Sequence, residues 1–128
     1  MKIRKLFALA AVLAMAVVAS PAFAEGDAAK GEKVFKKCKA CHTIKQGGKH
    51  RVGPNLHGVI GRKAGTAEGF KKFSKGLKAA GFAWDEKMLD EYLTSPKKMI
   101  KGSRMAFPGL KKAKDRANVI AYLMKETM

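Results

Sequence analysis

The chain has 128 residues, with 27 Lys and Arg against 10 Asp and Glu, for a formal charge of +17. That length suits one domain, and 47% hydrophobic with 8% aromatic residues excludes a disordered or collagen-like chain. So large a positive charge excludes a neutral surface and calls for an explanation.

The first segment stands apart from the fold. Lys2, Arg4 and Lys5 form a basic start, Leu6 to Val18 is an unbroken apolar run, and the small-residue site Ala22-Phe23-Ala24 precedes Glu25. This is the layout of a cleaved secretory signal peptide over residues 1–24. A membrane-spanning helix needs roughly 20 apolar residues, more than this run supplies. Cleavage after Ala24 leaves a domain over residues 25–128, exported and soluble, and removes three of the basic residues and none of the acids, so the charge becomes +14. A chain of that size has a modest core, which a large apolar cofactor would help to fill.

In chain order, Asp27 caps a predicted amphipathic helix over residues 27–37, with Gly31, Val34, Phe35 and Cys38 recurring on one face. From Thr43 to Gly65 the sequence is glycine-rich and aperiodic, with Gly47-Gly48 and Gly53-Pro54 as turn signals. Ser74 caps a short helix ending at Gly81, and Asp85 a third helix with Met88, Leu89, Tyr92 and Leu93 on one side. The third stops before Pro96, because the residue before a proline avoids the helical region. A helical turn follows at Pro96 to Ile100, then loop from Gly102 to Gly109. Asp115 begins a final helix with Val119, Tyr122 and Leu123 as its apolar stripe. The expected class is all-α with long irregular connections. Loops beyond about 12–15 residues usually signal function or missing structure, so a non-protein group is expected to organise the middle of the chain.

Cys38-Lys39-Ala40-Cys41-His42 is C-x-x-C-H, the attachment sequence of c-type haem. Two thiols three residues apart on one helical turn reach the two vinyl groups of one porphyrin, and the adjacent imidazole falls under the iron as an axial ligand. A Cys38–Cys41 disulfide is the competing reading for an exported chain. A zinc site is another, but it wants four ligands, and only His50 or His57 is at hand to complete the set. For the sixth position on a haem iron the mature chain offers His50, His57 and the methionines 88, 99, 105, 124 and 128. Met88, Met99 and Met124 read as core filler. Met105 is favoured, because glycines and a proline flank it in Gly102-Ser103-Arg104-Met105-Ala106-Phe107-Pro108-Gly109 and let the backbone arch over a flat cofactor.

From Gly26 to Met128 the sequence closely resembles the class I cytochromes c, most like the bacterial cytochromes c2 and the mitochondrial proteins. Cys38 to Thr43, Gly53-Pro54-Asn55-Leu56-His57-Gly58, Gly61-Arg62-Lys63, Tyr92-Leu93 with Pro96-Lys97-Lys98, the Met105 loop and Ile120-Ala121-Tyr122-Leu123 match in order. The resemblance implies the class I fold: about five short helices with long loops around one haem c, linked through Cys38 and Cys41. It implies His42 and Met105 as iron ligands and the Pro54 carbonyl as acceptor for the His42 ring. It also implies Tyr92 as donor to the ligand sulfur, and Arg62 and Trp84 as propionate partners. Gly31 and Phe35 would pack against Tyr122 and Leu123 where the first and last helices cross.

Two departures stand out. Gly69-Phe70-Lys71-Lys72-Phe73-Ser74 carries one residue more than the family pattern, which puts Phe73 where a propionate-bonding tyrosine is expected. Leu77 falls where mitochondrial relatives carry asparagine. Both touch the propionate network and leave the iron ligands alone.

An iron held by both His42 and Met105 has no open position, so the implied function is electron carriage, not catalysis. Thioether ligation and burial favour the reduced iron. Lys36, Lys37, Lys49, Lys97, Lys98, Lys101, Arg104, Lys111 and Lys112 flank the haem-binding segments. In the family such lysines steer the protein towards acidic faces of membrane redox complexes. The implied setting is the periplasm, with cytochrome bc1 as donor, a terminal oxidase or photosynthetic reaction centre as acceptor, and the chain acting as a monomer. Nucleic-acid binding is not expected, since no reading motif is present. The alternatives are a haem sensor or weak peroxidase whose sixth position opens, and an exported non-haem domain with a disulfide or zinc.

Overall fold

Asp27 sets the first helix. In the computed structural model, which describes residues 12–16 and 25–128, its carboxylate accepts the Lys30 amide at 3.1 Å and starts α1, Ala28–Phe35. The leader expected over 1–24 lies outside the described residues except for 12–16, which are exposed and in no regular element. After Phe35 the chain keeps turning. Cys38 N bonds to Phe35 O at 2.8 Å and His42 N to Cys38 O at 2.9 Å, so both cysteines and the histidine ride on the continuation of α1.

Four further helices follow among the described residues: α2 Lys75–Lys78, α3 Glu86–Thr94, α4 Pro96–Met99 and α5 Ala113–Thr127. There is no β-strand among these residues, only one bridge between Lys63 and Ala83. Ser74 accepts the Leu77 amide at 3.2 Å and Asp85 the Met88 amide at 2.7 Å, each capping its helix. Two boundaries differ from expectation. The helix after Ser74 ends at Lys78 and turns out at Ala79, short of Gly81. The last helix begins at Ala113, ahead of Asp115. Lys112 stands at its start without a side-chain cap, and Asp115 lies inside the first turn, where a carboxylate meets the positive end of the helix dipole.

The first and last helices cross at Gly31. A Cβ there would come within 1.9 Å of the Asn118 carbonyl oxygen, so the crossing needs a residue without one. Phe35 packs its ring against Tyr122 at 5.3 Å between centroids, and the Asn118 side chain accepts the Asp27 amide at 2.8 Å. Phe35, Leu110, Val119 and Leu123 form one buried cluster. Val59, Ala64, Trp84, Leu89, Tyr92, Ile100 and Ile120 form the other, reaching from the loops to α3 and α5. Each large side chain so buried contributes about 1.5–3 kcal/mol of transfer free energy.

Candidate haem site

Cys38 and Cys41 are both free thiols, half-buried and not joined to each other. Burial, with Cys41 beside it, pushes the Cys38 thiol up to about 11, so it is not a thiolate nucleophile at neutral pH. Among the described residues no group of three or more His, Cys, Asp or Glu side chains gathers in one place.

His42 follows on the same turn. Its Nδ1 donates to the Pro54 carbonyl at 2.7 Å. A carbonyl can only accept, so Nδ1 carries the proton and Nε2 keeps its lone pair. Burial holds the imidazole below the usual histidine value, partly offset by the Pro54 carbonyl, and a neutral ring is the form that ligates. The ring comes very close to the loop opposite: a Cβ on Gly53 would meet His42 Cε1 at 2.3 Å. Gly53 N also bonds to Cys41 O at 2.9 Å, tying the loop to the motif.

Met105 lies on the irregular stretch after α4, partly buried against the larger cluster. The Tyr92 hydroxyl, on α3, is 4.0 Å from its sulfur. Burial raises the Tyr92 phenol above its usual value, with Ser103 offsetting part of that rise, so the hydroxyl keeps its proton and remains a donor. The other candidates for a sixth ligand are placed differently. Met88, Met99 and Met124 pack against the same cluster, and Met128 is exposed. His50 has both ring nitrogens engaged: Nδ1 accepts the Asn55 amide at 2.9 Å and Nε2 donates to the Glu68 carbonyl at 2.7 Å. His57 keeps a buried Nδ1 without a partner.

Arg62 is drawn inward by the carbonyls of His57 and Asn55, at 3.2 and 3.3 Å. Burial lowers its guanidinium below the usual value, although arginine stays charged. Trp84 is buried, edge-on to Phe82 and tilted against Tyr92. Phe73 places its ring edge-on to Phe70 at 4.8 Å, and Phe70 in turn meets His50. Leu77 packs against the larger cluster.

Two polar residues of the site escape a reading of the sequence alone. Asn55 gathers the proximal loop, donating to Thr43 Oγ1 and the Lys45 carbonyl, both at 2.8 Å, and accepting the His57 amide at 3.1 Å. Ser103 accepts the Met105 amide at 3.4 Å. The only sequence signal for either was its place beside a Pro or Gly turn.

Two free thiols and a neutral imidazole on one turn form the donor set that haem c attachment requires, and a partly buried thioether beside an aromatic hydroxyl lies on the loop after α4. An all-α shell built around such a set defines a mono-haem c-type electron carrier. The family model for cytochrome c matches residues 28–126, and the chain belongs to that family, in its class I branch. Cytochrome c-554 of Methylosinus trichosporium is 48% identical over 123 residues, covering 96% of this chain and 92% of the relative. The cytochromes c of Nigella damascena and Chlamydomonas reinhardtii are 50% and 52% identical over 103 residues, 80% of this chain. They are covered over 92% and 91% of their own lengths.

Proposed function

We propose that residues 1–24 are a leader cleaved on export and that residues 25–128 are a soluble periplasmic carrier. It moves single electrons from cytochrome bc1 to a terminal oxidase or photosynthetic reaction centre and performs no catalysis of its own. The leader rests on its basic, apolar and small-residue layout. Among the described residues no helix is long and apolar enough to cross a membrane, which accords with a carrier free to shuttle.

Cys38 and Cys41 hold the haem c covalently, and His42 and Met105 complete its iron. When bound, that group supplies a one-electron change at a closed, low-spin iron. The chain's own residues keep it closed. Pro54 orients His42 and fixes its tautomer, Tyr92 faces the Met105 sulfur, and Met105 packs against the larger core cluster. Arg62 and Trp84 serve the propionates. The observation that carries the six-coordinate reading is the inward Met105 thioether facing the Tyr92 hydroxyl.

All nine of the basic side chains that flank the haem-binding segments are exposed. Among the described residues the one ion pair, Arg116 with Asp90, uses none of them. They remain available to an acidic partner face.

Visible spectra of the purified protein, oxidised and reduced, test the site. Sharp reduced bands, a methionine–iron charge-transfer band when oxidised and no response to carbon monoxide are the expected result. Prompt carbon monoxide binding would replace the carrier by a sensor or peroxidase.

A further inference from the structure

The loop that carries Met105 is braced from a second direction. Helix α2 packs against the turn just ahead of it, and the contact is made through a glycine. A Cβ on Gly76 would lie 2.7 Å from the Lys101 carbonyl oxygen and 3.1 Å from Ile100 Cγ2. The first of these is backbone, which cannot swing aside as a side-chain tip would. Helix α2 is also confined elsewhere, because the backbone of Gly65 closes on Lys78: a Cβ there would meet Lys78 Cα at 2.8 Å.

The braced turn leads straight to the site. Ser103 N bonds to Ile100 O at 3.2 Å, closing the turn over Lys101 and Gly102. The Ser103 hydroxyl then accepts the Met105 amide at 3.4 Å, and Met105 Sδ faces Tyr92. A displacement of the Lys101 carbonyl is therefore passed through one turn and one hydrogen bond to the thioether. Packed backbone transmits such shifts because interiors have little room to absorb them.

We propose that Gly76 is a positioning residue for Met105: α2 can close on the Ile100–Ser103 turn only where the helix carries no Cβ, and that closure keeps the thioether inward. The inference rests on the reading of Met105 as an iron ligand. A methyl group at position 76 overpacks the closed loop and favours the arrangement in which Met105 has left.

The ferric holoprotein is compared with its Gly76→Ala, Ser74→Ala and Asp27→Ala variants, using the methionine–iron band and the apparent affinity for cyanide at neutral pH. Cyanide takes the position only when Met105 vacates it, so its affinity reports the open fraction. Gly76→Ala should bind cyanide about tenfold more tightly and lose band intensity, the size expected of a modest overpacking contact felt only in the closed loop. Ser74→Ala removes the cap of α2 and slackens the same brace, so it should tighten cyanide in the same direction by about two- to fivefold. Asp27→Ala removes a cap from α1, remote from the turn, and should leave cyanide affinity unchanged.

A folded Gly76→Ala protein with the parent's band and affinity overturns the proposal. If that variant does not fold, unchanged affinity in Ser74→Ala overturns it instead. An equal shift in Asp27→Ala would assign the effect to global stability and overturn it as well. A parent protein without the methionine–iron band fails earlier, at the ligand reading itself.

Discussion

Gly53 lies so close to His42 that the ring occupies the space a side chain would need: a Cβ would sit 2.3 Å from Cε1 and 2.7 Å from Nδ1. The imidazole is thus clamped between a backbone surface and the Pro54 carbonyl. Gly53→Ala must push the ring or the loop. The expected result is a loss of about 1–3 kcal/mol in denaturant unfolding, together with a smaller yield of protein showing low-spin bands. An unchanged midpoint and spectrum would mean the loop relaxes freely.

Arg116 ties three segments together. Its Nε meets Asp90 Oδ1 at 2.7 Å, while Nη1 donates to the carbonyls of Leu110 and Lys111 at 2.8 and 3.0 Å. Arg116 is 12% exposed and Asp90 34%, so the two ends of the pair differ in worth. Arg116→Ala leaves two carbonyls and a carboxylate short of a donor and should cost about 2–3 kcal/mol. Asp90→Ala, whose partner keeps its carbonyl bonds, should cost about 1 kcal/mol or less. Equal losses in a urea titration would contradict this asymmetry.

The Asp27 carboxylate is held below its ordinary value of 3.8, chiefly because it accepts the Lys30 amide. A group whose folded value is depressed stabilises fully above its unfolded value and ceases to do so as pH falls through the folded one. Asp27→Asn keeps an acceptor for the amide and loses only the charge. The melting temperature of the parent should therefore exceed that of Asp27→Asn at neutral pH, with the gap closing as pH drops below 3.8. A gap that persists in strong acid would point to a cause other than ionisation.

The helices readable in advance are those with a local signal. Asp27 and Asp85 each stand one residue ahead of an amphipathic run, and both cap as a reader of the sequence would expect. The start of α5 differs from expectation because Lys112 begins that helix without a side-chain cap, while Asp115, a typical capping residue, acts inside the first turn. The positions of Cys38, Cys41 and His42 on one turn followed from their spacing. Gly76 was invisible, since the need for a bare Cα arises from Lys101, 25 positions later in the chain. Asn55 was hidden for a related reason: its partners Thr43, Lys45, His50 and His57 meet only once the loop is folded. The packing of the Phe73 ring against Phe70 has no local signal in the sequence.

The exposed cations bear on the encounter with a partner, a step separate from the ligation of the iron. Lys97, Lys98, Lys101 and Arg104 lie on α4 and the loop towards Met105, all exposed, in a chain whose formal charge is +17. If they steer the protein to an acidic face, they act on the encounter rate, where screening is effective beyond about 8–10 Å at physiological salt. Electron transfer from purified bc1 complex, followed by stopped-flow absorbance, should slow by about tenfold or more between low and physiological ionic strength. A double change of Lys97 and Lys98 to Glu should slow it further at low salt and flatten its salt dependence, with the spectrum unaltered. A rate indifferent to both salt and charge reversal would sink the steering role and leave the lysines to solubility alone.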